Sequence, residues 1–103
     1  MVTPRNIRVS EASRVVLPRH TKLRYDDTRK VWVILAPERV LAPDEIAVEV
    51  LQLCDGVRDV AAIVDDLVAK YAAPRDTIAT DVVAMLQDLA DKGFLTEVRE
   101  NAS

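Results

Sequence analysis

Polar and apolar residues alternate from Lys22 to Asp26, with Leu23 and Tyr25 set between Lys22, Arg24 and Asp26, and this period of two predicts a half-buried β-strand. Asp27-Thr28-Arg29 interrupts the pattern as a turn. Lys30 to Leu35 is an apolar run rich in β-branched residues around Trp32, which predicts a second strand antiparallel to the first. Ala36-Pro37-Glu38 breaks that run and leaves Arg39-Val40-Leu41-Ala42 as a brief third strand before Pro43. In an up-down meander the third strand lies at an edge. Its unpaired backbone donors and acceptors must be blunted, covered or used to capture an extended peptide.

The middle strand has apolar side chains on both faces, Trp32 and Ile34 on one and Val31, Val33 and Leu35 on the other. That pattern predicts a central strand covered on both sides, by helices on one and by the arm, a second copy or a partner on the other. Trp32 and Tyr25, each among apolar neighbours, read as structural residues.

From Pro43 the spacing becomes helical, with helices expected near 44–54, 59–72 and 76–92. Proline and two carboxylates at Pro43-Asp44-Glu45 suit a first helical turn, and Ile46, Val50, Leu53 and Cys54 form the stripe of that helix. Gly56 follows as a left-handed residue, and Asp59 is the N-cap expected for the second helix, whose stripe is Val60, Ile63, Val64, Leu67, Val68 and Tyr71. The third helix starts at Asp76 or Thr77 and ends at Lys92-Gly93, with Phe94 and Leu95 folding back beyond the glycine.

Ile78, Val82, Met85 and Leu89 form one apolar line on this third helix, and Ala79, Val83, Leu86 and Ala90 form a second line roughly 100° around it. Two arrangements satisfy that: a central helix packed on both sides, or a helix whose flank is partly a binding groove. The expected fold class is α+β, a three-stranded antiparallel sheet followed by a three-helix bundle. Residues 1–20, with Pro4, Pro18 and no lasting periodicity, read as a flexible or loosely docked N-terminal arm in which Val15-Val16-Leu17 can pack on the sheet. Residues 21–96 then form one domain and 97–103 a C-terminal tail.

Composition removes several functions. With 103 residues, half of them hydrophobic, the chain suffices for one core. No apolar run approaches the roughly 20 residues of a membrane span, and Met1-Val2-Thr3-Pro4-Arg5 lacks the apolar centre of a secretory signal, which points to a cytoplasmic protein without a membrane partner. A single cysteine, Cys54, forms no internal disulfide, and with a single histidine, His20, there is no Cys/His zinc site. Cys54 falls on the apolar stripe at a helix C-terminus, where burial and the helix dipole both disfavour a thiolate. Serine occurs only at Ser10, Ser13 and Ser103, outside every expected helix, so neither serine catalysis nor an acyl-carrier role is supported. The pairs Asp26-Asp27 and Asp65-Asp66 point to solvent without a partner to perturb them, and two glycines make no phosphate loop. No catalytic residue, metal site or cofactor is expected, and the chain does not read as an enzyme.

Charge is uneven. Residues 1–30 hold eight Lys/Arg and three Asp/Glu, while the remainder is acidic. The basic arm and hairpin (Arg5, Arg8, Arg14, Arg19, Lys22, Arg24, Arg29 and Lys30) are either a docking patch for an acidic partner or ordinary solvated charge. Strands plus three helices also suit a winged helix that binds DNA. Here the third helix offers Asp81, Asp88 and Asp91 against Lys92, and the second offers Asp59, Asp65 and Asp66 against Lys70, so a nucleic acid partner is disfavoured.

From Arg24 to Leu95 the chain resembles the pyrroloquinoline quinone (PQQ) biosynthesis protein D family, PqqD. The resemblance rests on Val31-Trp32-Val33-Ile34-Leu35-Ala36-Pro37-Glu38, Asp44, Cys54-Asp55-Gly56, Val60-Ala61-Ala62-Ile63 and Phe94-Leu95, in the family's order and spacing. It departs at Arg39, where members often carry glycine. The resemblance implies a small winged-helix-like domain of the kind called a RiPP recognition element, which holds the leader region of a ribosomally made precursor. The implied role is that of a peptide chaperone in PQQ biosynthesis, binding the precursor peptide PqqA and presenting it to the radical S-adenosylmethionine enzyme PqqE. A DNA-binding winged helix and a purely structural subunit are the alternatives. The peptide is expected to add as an antiparallel strand to Arg39-Val40-Leu41, its apolar side chains entering a groove lined by Val83, Leu86 and Ala90 of the third helix.

Overall fold

The computed structural model describes residues 7–98 as five strands and three helices: β1 (Val15–Val16), β2 (Lys22–Asp26), β3 (Val31–Ala36), β4 (Arg39–Leu41), α1 (Glu45–Leu53), α2 (Val60–Tyr71), α3 (Arg75–Asp91) and β5 (Thr96–Glu97). β2, β3 and β4 form an antiparallel meander in that order, with Tyr25 opposite Trp32, Leu23 opposite Ile34 and Ile34 opposite Leu41. The change of period at Pro43 is therefore the boundary between the meander and the helices.

Local chemistry sets the element ends. Asp26 closes the first hairpin by accepting the amides of Thr28 and Arg29. The second hairpin turns through Pro37 and Glu38, and Glu38 takes φ +61°, so Arg39 pairs regularly with Ala36 in spite of the missing glycine. Asp44 and Asp59 cap α1 and α2 by accepting the amides of Ala47 and Ala62 at 2.8 and 2.9 Å. α3 begins one residue before the expected start, after Pro74. At its other end Phe94 N–H donates to Leu89 O and Gly93 N–H donates to Ala90 O, with Gly93 at φ +87°. This is the paired closure of a Schellman motif. It turns the chain so that Phe94 and Leu95 are buried.

One core joins the layers. Ile34 of the sheet, Val50 and Leu51 of α1, Ile63, Val64 and Leu67 of α2, Val82, Leu86 and Leu89 of α3, and Phe94 form it with Val9 and Val15. Ile34, Ile63 and Leu86 are fully buried, each contributing about 1.5–3 kcal/mol by leaving water.

Two expectations need correction here. The segment read as a loosely docked arm is built into the fold from Ile7 onward: β1 pairs antiparallel with β5, Val9 and Val15 enter the core, and Ser13 O and Glu11 O accept the amides of Val60 and Ala61 at the start of α2. The helix N-terminus supplies donors that this segment satisfies. The parts of the expected arm and tail at residues 1–6 and 99–103 lie outside the described residues. The second correction concerns the sheet. Leu23, Ile34, Ala36 and Leu41 face the core, whereas the other face is covered only in part: Val33 is buried and Leu35 half-buried outside the core cluster, and Val31 and Val40 are exposed. Helices cover one side, and β2 and β4 flank β3.

Candidate functional site

β4 pairs only with β3, so its outer backbone edge has no strand partner among the described residues. Its position is fixed by Arg39. The Arg39 side chain reaches across to α3, donating to the carbonyl oxygen of Lys92, and its guanidinium lies 4.4 Å from the centre of the Phe94 ring. A cation at the carbonyl end of a helix also meets the negative end of the helix dipole. Gly93 makes room for it: a Cβ there would stand 3.0 Å from Arg39 Nη2.

Beyond Leu41 the chain passes into α1, and Ile46 of its first turn is 56% exposed. With Leu67, Tyr71, Ile78, Asp81 and Val82 it lines an open, largely apolar cavity of about 250 Å³. Ile78 and Met85 are spaced by seven residues and therefore share one line of α3, which ends at the Lys92 carbonyl that Arg39 reaches. Ile78 meets Ile46 across that cavity, at the end of α3 away from Arg39.

The residues expected to form the helical wall lie elsewhere. Leu86 is 0% exposed and belongs to the core. Val83 and Ala90, again seven apart, lie on the opposite flank, with Gln87 between them. There Gln87 accepts the amide of Val9 at 2.8 Å and donates to Ile7 O at 2.7 Å, and Val83 shares a shallow depression with Glu11 and Gln87. Arg39, Val40 and Leu41 thus stand together on one edge strand, while Leu86 is buried in the core, Val83 lies beside Glu11 and Gln87, and Ala90 is half-buried against the core. The side of α3 that sequence reasoning missed carries Ile78 and Met85, both half-buried against the core. The signal for it was Gln87, a polar residue set between Val83 and Ala90.

The titratable groups offer no reactive centre in this region. Cys54 is buried, donates to Val50 O, and has its pKa pushed up to about 12 by burial and by the adjacent Asp55. Among the described residues no group of three or more His, Cys, Asp or Glu is placed to hold a metal ion, and no helix is long and apolar enough to cross a membrane. Glu49 is held below its ordinary pKa by hydrogen bonds from Lys70 and Tyr71, an exposed cluster that ties α1 to the end of α2.

Comparison with known proteins agrees with this architecture. The family model described as coenzyme PQQ synthesis protein D matches residues 31–95. A protein of Bradyrhizobium diazoefficiens named PqqA binding protein is 76% identical over 103 residues, covering 100% of both chains. One of the same name from Gluconobacter oxydans is 37% identical over 87 residues, or 84% of this chain and 91% of its own. The solution structure of the PqqD truncation of Methylobacterium extorquens PqqCD, described as a functional and stand-alone RiPP recognition element, superposes with a TM-score of 0.74 at 40% identity, covering 85% of this chain and 94% of that one. The crystal structure of PqqD from Xanthomonas campestris gives 0.54 at 36% identity, covering 82% and 91%. A match over most of the meander and all three helices, joined to relatives aligned along nearly their whole length, places the chain in the PqqD family.

Proposed function

We propose that this protein is the peptide chaperone of PQQ biosynthesis, binding the ribosomal precursor PqqA and presenting it to the radical S-adenosylmethionine enzyme PqqE without catalysing a step itself. The observation that carries the reading is the edge of β4 that has no strand partner among the described residues, in a chain whose relatives are named for binding PqqA. The peptide adds antiparallel to Arg39-Val40-Leu41. Its backbone pairs along that edge, and its apolar side chains lie over Leu41 and Met85 and reach the cavity between Ile46 and Ile78. Three residues limit the ladder to a few hydrogen bonds, so side-chain burial supplies much of the affinity. Leu86 supports this wall from within the core, and Val83 lies beside Glu11 of the N-terminal segment.

No observation favours binding to nucleic acid, since Asp65, Asp66, Asp76, Asp81, Asp88 and Asp91 all stand exposed on α2 and α3. A backbone NMR titration with the precursor peptide tests the reading. Amides of Arg39–Leu41 and of α3 around Ile78 and Met85 shift on binding, and Met85→Asp abolishes it by placing an unpaired carboxylate against the apolar peptide. Shifts confined to α2, or a folded Met85→Asp variant that binds unchanged, would overturn it.

A further inference from the structure

The outer face of the meander is the part of the molecule that strand addition leaves unused. It carries Val31, Val33 and Leu35 from β3, Val40 from β4, and Lys22, Arg24 and Asp26 from β2. Val31 is 41% exposed and Val40 64%, while Val33 between them is buried. Cations surround these residues. Arg24 and Lys22 stand directly across from Val33 and Leu35, and Arg19, His20 and Lys22 line an open depression of about 470 Å³ with Leu35, Ala36 and Pro37.

Among the described residues, Arg19, Lys22, Arg24 and Lys30 form no ion pair. On the helices the cations are mostly paired: Arg58 with Asp55 and Asp66, Lys70 with Glu49, Arg75 with Glu11 and Asp65, and Lys92 with Asp88. Asp26, the one carboxylate of the outer face, is already held by the turn amides and Arg29. An apolar centre with a charged rim is the anatomy of a protein interface. Phosphate groups would use the cations and leave Val31 and Val40 wet, whereas a folded surface with carboxylates around an apolar spot satisfies both.

Val40 joins this face to the peptide site, because its backbone lies on the β4 edge and its side chain on the outer face. From that continuity and the unmatched positive charge, we propose that the outer face of the meander docks an acidic surface of the enzyme that modifies the bound peptide. It does so while the peptide remains on β4. The inference rests on the presentation role proposed above and adds the surface and its chemistry.

Calorimetry with the purified radical S-adenosylmethionine enzyme and with the precursor peptide, each titrated into the full chain and its Lys22→Glu/Arg24→Glu variant, tests it. The variant is expected to lose at least about tenfold in affinity for the enzyme and to bind the peptide within about twofold of the parent, while raised salt weakens only the parent's hold on the enzyme strongly. Equal enzyme affinity in parent and variant overturns this surface and leaves the presentation role standing. A parent chain that binds peptide but not the enzyme overturns the presentation role and the occupant proposed here together. A loss confined to duplex DNA, anionic vesicles or self-association, with enzyme binding intact, assigns the face to that occupant and overturns ours. If reversed charges unfold the sheet, Lys22→Gln/Arg24→Gln reads out the same comparison.

Discussion

Gly93 meets two demands at once: a positive φ that closes α3, and an open space through which Arg39 reaches the Lys92 carbonyl. Either alone disfavours a side chain. Gly93→Ala should therefore lower stability by about 1 kcal/mol or more from the backbone term alone, measured by denaturant unfolding, and should weaken peptide binding by displacing Arg39. Cys54 makes the opposite case, a residue whose chemistry has been suppressed. With its thiol buried and its pKa raised to about 12, it should resist thiol reagents in the folded protein at about pH 8 and react fully once the chain is unfolded. A native-state reaction as fast as that of the unfolded chain would contradict this.

Among the elements, α3 explains why the site was only partly legible in the sequence. Its two apolar lines each give two residues to the core, Val82 and Leu89 from one and Ala79 and Leu86 from the other, so the buried stripe runs between them. Ile78 and Met85 are left half-buried on one side, Val83 and Ala90 on the other. A helical wheel treats the two leftover pairs alike. Only tertiary structure tells them apart, and on the side of Val83 the neighbouring Gln87 holds the backbone of Ile7 and Val9. Gln87→Ala should then cost about 1–3 kcal/mol and speed amide exchange at Val9, with peptide affinity unchanged. The meander and helix starts were readable because long periodic runs and capping aspartates act locally. The β1–β5 pair was not, since two-residue strands have no period and their partners lie at opposite ends of the chain.

At the scale of the whole molecule, charge is sorted by surface: acidic helices, a basic outer sheet, and ion pairs where neighbouring elements meet. Glu49 and Asp55 are both held below their ordinary pKa, Glu49 by hydrogen bonds from Lys70 and Tyr71 and Asp55 by the amides of Arg58 and Val57. A lowered folded-state pKa means that the unfolded chain takes up the proton first. The stabilisation is complete at neutral pH and is lost as the pH falls from the ordinary carboxylate range through the lower folded values. Thermal unfolding should accordingly show a melting temperature that drops as the pH falls below about 5, with a shallower drop in Glu49→Gln. Both residues are exposed, so the drop is modest.

The brevity of β4 has a consequence for timing and accuracy rather than affinity. Because side chains repeat every two residues along a strand, a peptide displaced by two positions offers the same face to the same edge. An edge of three residues distinguishes those registers poorly. The task falls to the landmarks at its ends, the Arg39 crossing at one and the cavity beside Ile46 at the other. A precursor whose apolar anchor is moved by two residues would then still be held, but with its reacting side chains carried about 7 Å along the strand from where an enzyme on the outer face expects them. Holding the peptide and aligning it for chemistry are separable properties of this fold.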